Sequence, residues 1–142
     1  MVDSDVVFMK VGNIQRCLKR IRDVTALKAE SLDNPDIQDV FVLNLQRTIQ
    51  SSLDLAAHVV ASEGLGLPSS LKENFSLLQN SGVISEDLSM SMQRMVGFRN
   101  IAIHEYEDID ANVLKSILQH HLSDVESFYV AILQHFGLTK RP

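Results

Sequence analysis

Four side chains that could take part in chemistry lie close together in segment 99–106, whose sequence is Arg-Asn-Ile-Ala-Ile-His-Glu-Tyr. They are Arg99, Asn100, His104 and Tyr106, which supply a permanent cation, an amide, an imidazole and a phenol. Metal-free RNA cleavage requires an activated ribose 2′-hydroxyl, a protonated leaving 5′-oxygen and stabilised charge on the phosphoryl oxygens. Arginine and histidine can fill these roles, so this stretch, called the functional segment, predicts phosphate chemistry.

Arg99 interrupts an apolar helical pattern. Apolar residues recur every three or four positions around it, at Leu88, Met92, Met95 and Ala102. An arginine on a buried face is costly unless it is paired, so an isolated case is most simply explained by a structural ion pair. The neighbouring amide, histidine and tyrosine favour a functional explanation instead.

One histidine cannot readily act as both the base and the acid of such a reaction. A two-fold dimer would bring together two copies of the functional segment and so provide two of each group. Geometry allows two arrangements, because five residues of a straight helix leave Arg99 and His104 about 140° apart around its axis. Either the helix ends or distorts around His104, so that the groups converge within one chain, or they meet across the dimer.

Hydrophobic spacing and helix caps predict one all-α domain, residues 1–142, built as an antiparallel bundle of four long helices plus one short one. The long helices are expected at about 5–30, at 35–63 after Asn34, from Ser85 into the functional segment, and from Asp110 to about 136. The short helix is expected at about 71–79. The functional segment would therefore lie at the end of a long helix.

A polar stripe runs along the long second helix. Its members, Arg47, Ser51, Asp54 and His58, stand at spacings of four and three residues. One interpretation is a solvated face on which Asp54 and His58 form a side-chain pair. The other is an interface or the wall of an active site.

Composition limits the partners and compartments to be considered. The net charge of −5 argues against a surface built throughout for nucleic acid, although basic residues are concentrated in the first 28 positions. Cys17 is the only cysteine, and the adjacent His120 and His121 lack the spacing of a helical metal pair, so we expect neither disulfide nor metal. No signal peptide or membrane span is evident, and the cytoplasm is the expected location.

The functional segment resembles the pattern of HEPN ribonucleases, in which four residues separate an arginine from a histidine. His104-Glu105-Tyr106 resembles the extension of that pattern in the HepT-like toxins. The resemblance extends over most of the chain. It includes the flanking stretches Gly82-Val83-Ile84-Ser85, Met95-Val96-Gly97-Phe98, Ile109-Asp110 and Leu43-Asn44-Leu45-Gln46-Arg47.

The resemblance implies a homodimeric helical domain with a metal-independent, cofactor-free RNA endonuclease site formed across the dimer. By position, Arg99 and His104 would be catalytic and Asn100 supporting. It further implies a minimal nucleotidyltransferase (MNT) antitoxin that attaches AMP to Tyr106. The expected partners are thus RNA, the antitoxin and a second copy of the chain. We do not expect the protein to bind a membrane.

Two alternatives remain at this point. The chain could be a non-catalytic HEPN module that assists a nucleotidyltransferase in binding nucleotide or substrate. It could also be a plain helical interaction protein with a coincidental motif, in which case Arg99 and His104 would lie far apart even in a dimer.

Overall fold

The computed structural model describes residues 1–138, in which every regular element is helical. The α-helices are α1 (Ser4–Thr25), α2 (Pro35–Ser62), α3 (Glu73–Asn80), α4 (Glu86–His104), α5 (Ala111–His120) and α6 (Leu122–His135). Two short 3-10 turns, Ala29–Asp33 and Tyr106–Asp108, precede α2 and α5. The prediction of an all-α fold is confirmed.

The helix starts follow from side-chain caps. Asn34 accepts a hydrogen bond from the amide of Asp36 before α2, and Ser85 accepts one from Leu88 at the start of α4. Asp110 caps α5 in the same way. These caps satisfy amides that have no partner within the helix, which is why the three predicted starts agree with the structure.

The end of α1 differs from the prediction. The helix was expected to reach about residue 30, but it ends at Thr25 because Ala26 and Leu27 both adopt left-handed backbone conformations, with φ of 53° and 59°. Neither residue is of a type that signals such a conformation. The chain therefore turns earlier than its hydrophobic spacing indicates.

The predicted last helix is divided into α5 and α6 at His121. The backbone there has φ of −121° and ψ of −9°, and Nδ1 of His121 lies 3.1 Å from Oδ2 of Asp124. The two helices pack against different parts of the fold: α5 contacts the first 3-10 turn, whereas α6 contacts α4 and α2. The break at His121 separates these two sets of contacts, and the prediction of one continuous last helix is wrong.

The core joins α1 and α2 along their length and extends to α3, α4 and α6. Phe75 of α3 and Phe128 of α6 meet edge to face within it, with ring centroids 5.4 Å apart. Met92, Met95 and Ala102 fix α4 by its buried face. This packing holds the C-terminal end of α4, and with it the functional segment, beside α2. None of the helices within residues 1–138 is both long and apolar enough to span a membrane.

Candidate functional site

The guanidinium of Arg99 is held by two neutral amide groups. Nη2 donates a hydrogen bond of 2.6 Å to Oε1 of Gln50 on α2, and Nη1 donates one of 3.2 Å to Oδ1 of Asn100. Arg99 is half-buried and forms no ion pair with any carboxylate of residues 1–138. The ordinary explanation for a half-buried arginine, a structural ion pair, therefore does not apply.

Gln50 is itself fixed by a charged pair. Its Nε2 donates to Oδ1 of Asp54 at 2.8 Å, while the other oxygen of Asp54 accepts from Nζ of Lys10 at 3.1 Å. The result is a chain of polar contacts from α1 through α2 to α4. Because the carboxylate of Asp54 is shared with Lys10 and reaches Arg99 only through an amide, the charge of Arg99 remains available to an anion.

His104 is the last residue of α4 and is exposed. The amide of Glu105 still donates to the carbonyl of Ile101 at 2.7 Å, so α4 is intact up to this point. On a regular helix His104 lies about 7.5 Å further along the axis than Arg99 and about 140° around it. The helix ends immediately after His104 and not before, which places the two candidate groups on different sides of α4.

Tyr106 lies in the second 3-10 turn, and its hydroxyl donates a hydrogen bond to Oδ1 of Asp39 on α2. This hydrogen bond, together with partial burial and the negative charge of Asp39, raises the pKa of Tyr106 to about 12. The phenol is thus kept neutral. Tyr106 as a whole is 41% exposed, so a second molecule can reach this residue.

Gln50 and Asp39 are the site residues that sequence reasoning missed. Both belong to α2, whose place beside the functional segment is set by tertiary packing. Gln50 precedes Asp54 by one helical turn, and this spacing was the one available signal for it.

The polar stripe of α2 makes contacts other than the predicted pair. The prediction that Asp54 pairs with His58 is wrong, since Asp54 binds Lys10 and Gln50 instead. His58 accepts a hydrogen bond of 3.0 Å from the backbone amide of Asp3. The stripe therefore ties α2 to the N-terminal part of α1 and, through Gln50, to Arg99.

The remaining histidines lie elsewhere. His121 contacts Asp124 at the junction of α5 and α6, and its neighbour His120 is exposed. No group of three or more His, Cys, Asp or Glu side chains within residues 1–138 has the arrangement of a metal site.

Comparison with known proteins gives consistent matches over most of the chain. The family model described as Ribonuclease HepT-like matches residues 14–132. The mRNA nuclease HepT of Shewanella oneidensis is 36% identical over 125 residues, which are 88% of this chain and 94% of that protein.

Two solved structures superpose on the chain with TM-scores of 0.86 at 35% identity, covering 92% of this chain and 98% of each matched chain. One is a toxin-antitoxin with AMP-PNP, and the other is a tri-AMPylated Shewanella oneidensis HEPN toxin in complex with MNT antitoxin. The region matched by the family model, residues 14–132, includes the whole of α2 and α4, the two helices that position the functional segment.

Proposed function

This chain belongs to the HepT-like ribonuclease family, and on that premise we propose that it is a metal-independent RNA endonuclease. It is the toxin of a type VII (HEPN/MNT) toxin-antitoxin system, and it acts in the cytoplasm. The observation that carries the proposal is the guanidinium of Arg99, oriented by Gln50 and Asn100 without a carboxylate partner in residues 1–138. A guanidinium that is oriented by neutral amides and has no carboxylate partner is better suited to binding a phosphate than to a purely structural role.

Arg99 and His104 have complementary roles in the proposed reaction. One imidazole accepts the proton of the ribose 2′-hydroxyl, whose oxygen attacks the adjacent phosphorus, and the bond from phosphorus to the 5′-oxygen breaks. A second imidazole donates a proton to that leaving oxygen. Arg99 stabilises the charge on the phosphoryl oxygens, and Asn100 supports it by accepting a hydrogen bond from Nη1.

Arg99 and His104 lie on different sides of α4, and this position favours a composite site formed by two chains. Within one chain the side chains of Arg99 and His104 point about 140° apart around α4. A single phosphate is therefore reached more easily by an Arg99 and a His104 from two different chains. A two-fold axis near the end of α4 would supply the second His104. Leu43, Ile101 and Ile103 are exposed apolar side chains on α2 and α4 that such a contact would cover.

Tyr106 is the proposed point of control. We infer that a cognate nucleotidyltransferase antitoxin transfers AMP to the hydroxyl of this exposed tyrosine, in line with the tri-AMPylated state of the related toxin. The added phosphate would compete with RNA for Arg99, and the nucleoside would block access to the site. Inhibition then requires no change of fold.

The decisive experiment compares RNA cleavage by the wild type, Arg99→Ala and His104→Ala in the presence of a chelator. We expect the wild type to leave a 2′,3′-cyclic phosphate and a 5′-hydroxyl, and each variant to lose about a hundredfold or more in rate. His120→Ala is the matched control, because it removes another exposed histidine outside the site.

Circular dichroism should show unchanged helix content in all the variants. Full activity of His104→Ala would refute its catalytic role. Absence of cleavage by the wild type, with retained binding to the nucleotidyltransferase, would instead establish the non-catalytic module.

A further inference from the structure

A second polar site lies between α1 and α2. It is an open groove of about 410 Å³ that is outside the functional segment and is referred to as the polar groove. Its lining consists of Asn13, Arg16, Cys17, Asn44, Arg47 and Ser51. The groove thus presents two guanidinium groups, two amides and a hydroxyl, and no carboxylate.

The two arginines of the polar groove differ from most basic residues of α1 in their partners. Lys10, Lys19 and Arg22 each lie within 4 Å of a carboxylate oxygen, at 3.1, 2.8 and 3.7 Å. Neither Arg16 nor Arg47 has such a neighbour among residues 1–138.

Arg16 instead donates through Nη2 to Oδ1 of Asn13, which orients its guanidinium within the polar groove. A side-chain amide orients Arg16 in the same manner as Gln50 orients Arg99. In a chain with a net charge of −5, two exposed cations with no carboxylate oxygen within 4 Å among residues 1–138 concentrate positive charge in the polar groove.

We propose that the polar groove binds a backbone phosphate of the RNA strand next to the phosphate that is cleaved. Guanidinium groups match phosphate oxygens in charge and geometry, and amide and hydroxyl groups are common additional donors to nucleic-acid backbones. The inference rests on the proposed ribonuclease function and adds to it a contact that positions the substrate.

The place of Arg47 on α2 connects the polar groove with the functional segment. Arg47 precedes Gln50 by three residues, which is about 4.5 Å along the helix and about 60° around it. Gln50 holds the guanidinium of Arg99. A strand that crosses α2 therefore meets Arg47 and Arg99 in succession, with the proposed scissile phosphate at Arg99.

The test uses a single-stranded oligonucleotide with 2′-O-methyl groups, which lacks the attacking hydroxyl and cannot be cleaved by the proposed mechanism. Cys17 lines the polar groove and is the only thiol of the chain, so its alkylation rate reports occupancy of this site. We expect the oligonucleotide to slow alkylation of wild-type Cys17, whereas free AMP at the same phosphate concentration leaves it largely unchanged.

Variants give an independent measurement. Arg16→Gln with Arg47→Gln should weaken oligonucleotide binding about tenfold or more, as expected for the loss of charge-assisted hydrogen bonds, and should reduce its salt dependence. Arg20→Gln is the matched control, because Arg20 is also an exposed arginine of α1 but does not line the groove. Circular dichroism would verify that each variant is folded.

Wild-type binding by the double variant, or unprotected Cys17 in the bound complex, would overturn the inference. Either result would leave the proposed function intact if unmodified RNA is still cleaved. Protection of Cys17 by AMP alone would also overturn it, since the polar groove would then bind free nucleotide and not a strand.

Discussion

The phenol of Tyr106 and the guanidinium of Arg99 are both held by single side chains of α2. Asp39 accepts from the phenol, and Gln50 accepts from the guanidinium. The choice of partner matters for the chemistry of each group. A carboxylate keeps the phenol protonated, whereas a neutral amide leaves the cation with its charge uncompensated.

The pKa of Tyr106 provides a test of the contact with Asp39. Asp39→Ala should lower this pKa from about 12 towards the ordinary value of 10.0, because the hydrogen bond and the nearby negative charge are both lost. The contact stabilises the fold fully below pH 10, and its contribution is lost as the pH rises through 12. Ultraviolet absorbance titration in a Tyr129→Phe background would measure the phenol of Tyr106 alone.

Asp36→Ala is the control for that titration, since Asp36 is another exposed acid of α2 that makes no contact with the phenol. An ordinary pKa for Tyr106 in the wild-type protein would contradict the contact.

At the residue scale, the sequence points to the groups proposed to carry the chemistry and gives little indication of the groups that orient them. Arg99 is recognisable because it interrupts an apolar stripe, and His104 and Tyr106 because of their spacing. Gln50 and Asp39 are ordinary polar residues of a surface helix until α2 is placed against α4. Their roles depend on contacts between residues 49 and 67 positions apart in the chain.

At the scale of elements, the site depends on the contact between α2 and α4. Gln50→Leu should lower kcat about tenfold, because Arg99 loses the acceptor that orients it and catalysis by a misplaced group is sharply reduced. Substrate KM should change much less. Steady-state cleavage of a short RNA would separate the two parameters.

Gln46→Leu is the matched control on the same helix, since the structure gives the Gln46 side chain no hydrogen bond with residues 1–138. Equal loss of activity in both variants would indicate a general effect on α2. Unchanged kcat in Gln50→Leu would exclude a positioning role for this residue.

Helix boundaries were predictable where a side chain caps the helix and unpredictable where tertiary packing decides. Asn34, Ser85 and Asp110 are recognisable caps, and the helices begin there. The break at His121 does not interrupt the spacing of apolar residues along the predicted last helix. Both α5 and α6 have this spacing, although they pack on different neighbours. Periodicity alone carries no information about such a bend.

At the scale of the whole molecule, the proposed composite site requires two chains. We expect light scattering during size-exclusion chromatography to give about twice the 15.9 kDa of one chain. Leu43→Glu and Ile103→Glu should shift the protein towards the monomer and reduce cleavage, because each places a charge on exposed apolar surface of α2 or α4 that the proposed contact would cover.

Val130→Glu is the control, since Val130 is a similarly exposed apolar residue of α6. A mass of one chain across micromolar concentrations would contradict the composite site.

The hydrogen bond between Tyr106 and Asp39 has a consequence for the modified protein. The proposed transfer of AMP to Tyr106 would replace the donating proton of the phenol with a phosphodiester, so the carboxylate of Asp39 would lose its donor and face a second anion. Like charges at this distance repel, and the 3-10 turn Tyr106–Asp108 should separate from α2. Amide hydrogens of this turn should then exchange faster in the modified protein, while those of the other turn, Ala29–Asp33, keep their rates. Unchanged rates in both turns would show that the modified tyrosine stays in place. Faster exchange in Tyr106–Asp108 alone would mean that the modification breaks the hydrogen bond that held the phenol before AMP was attached.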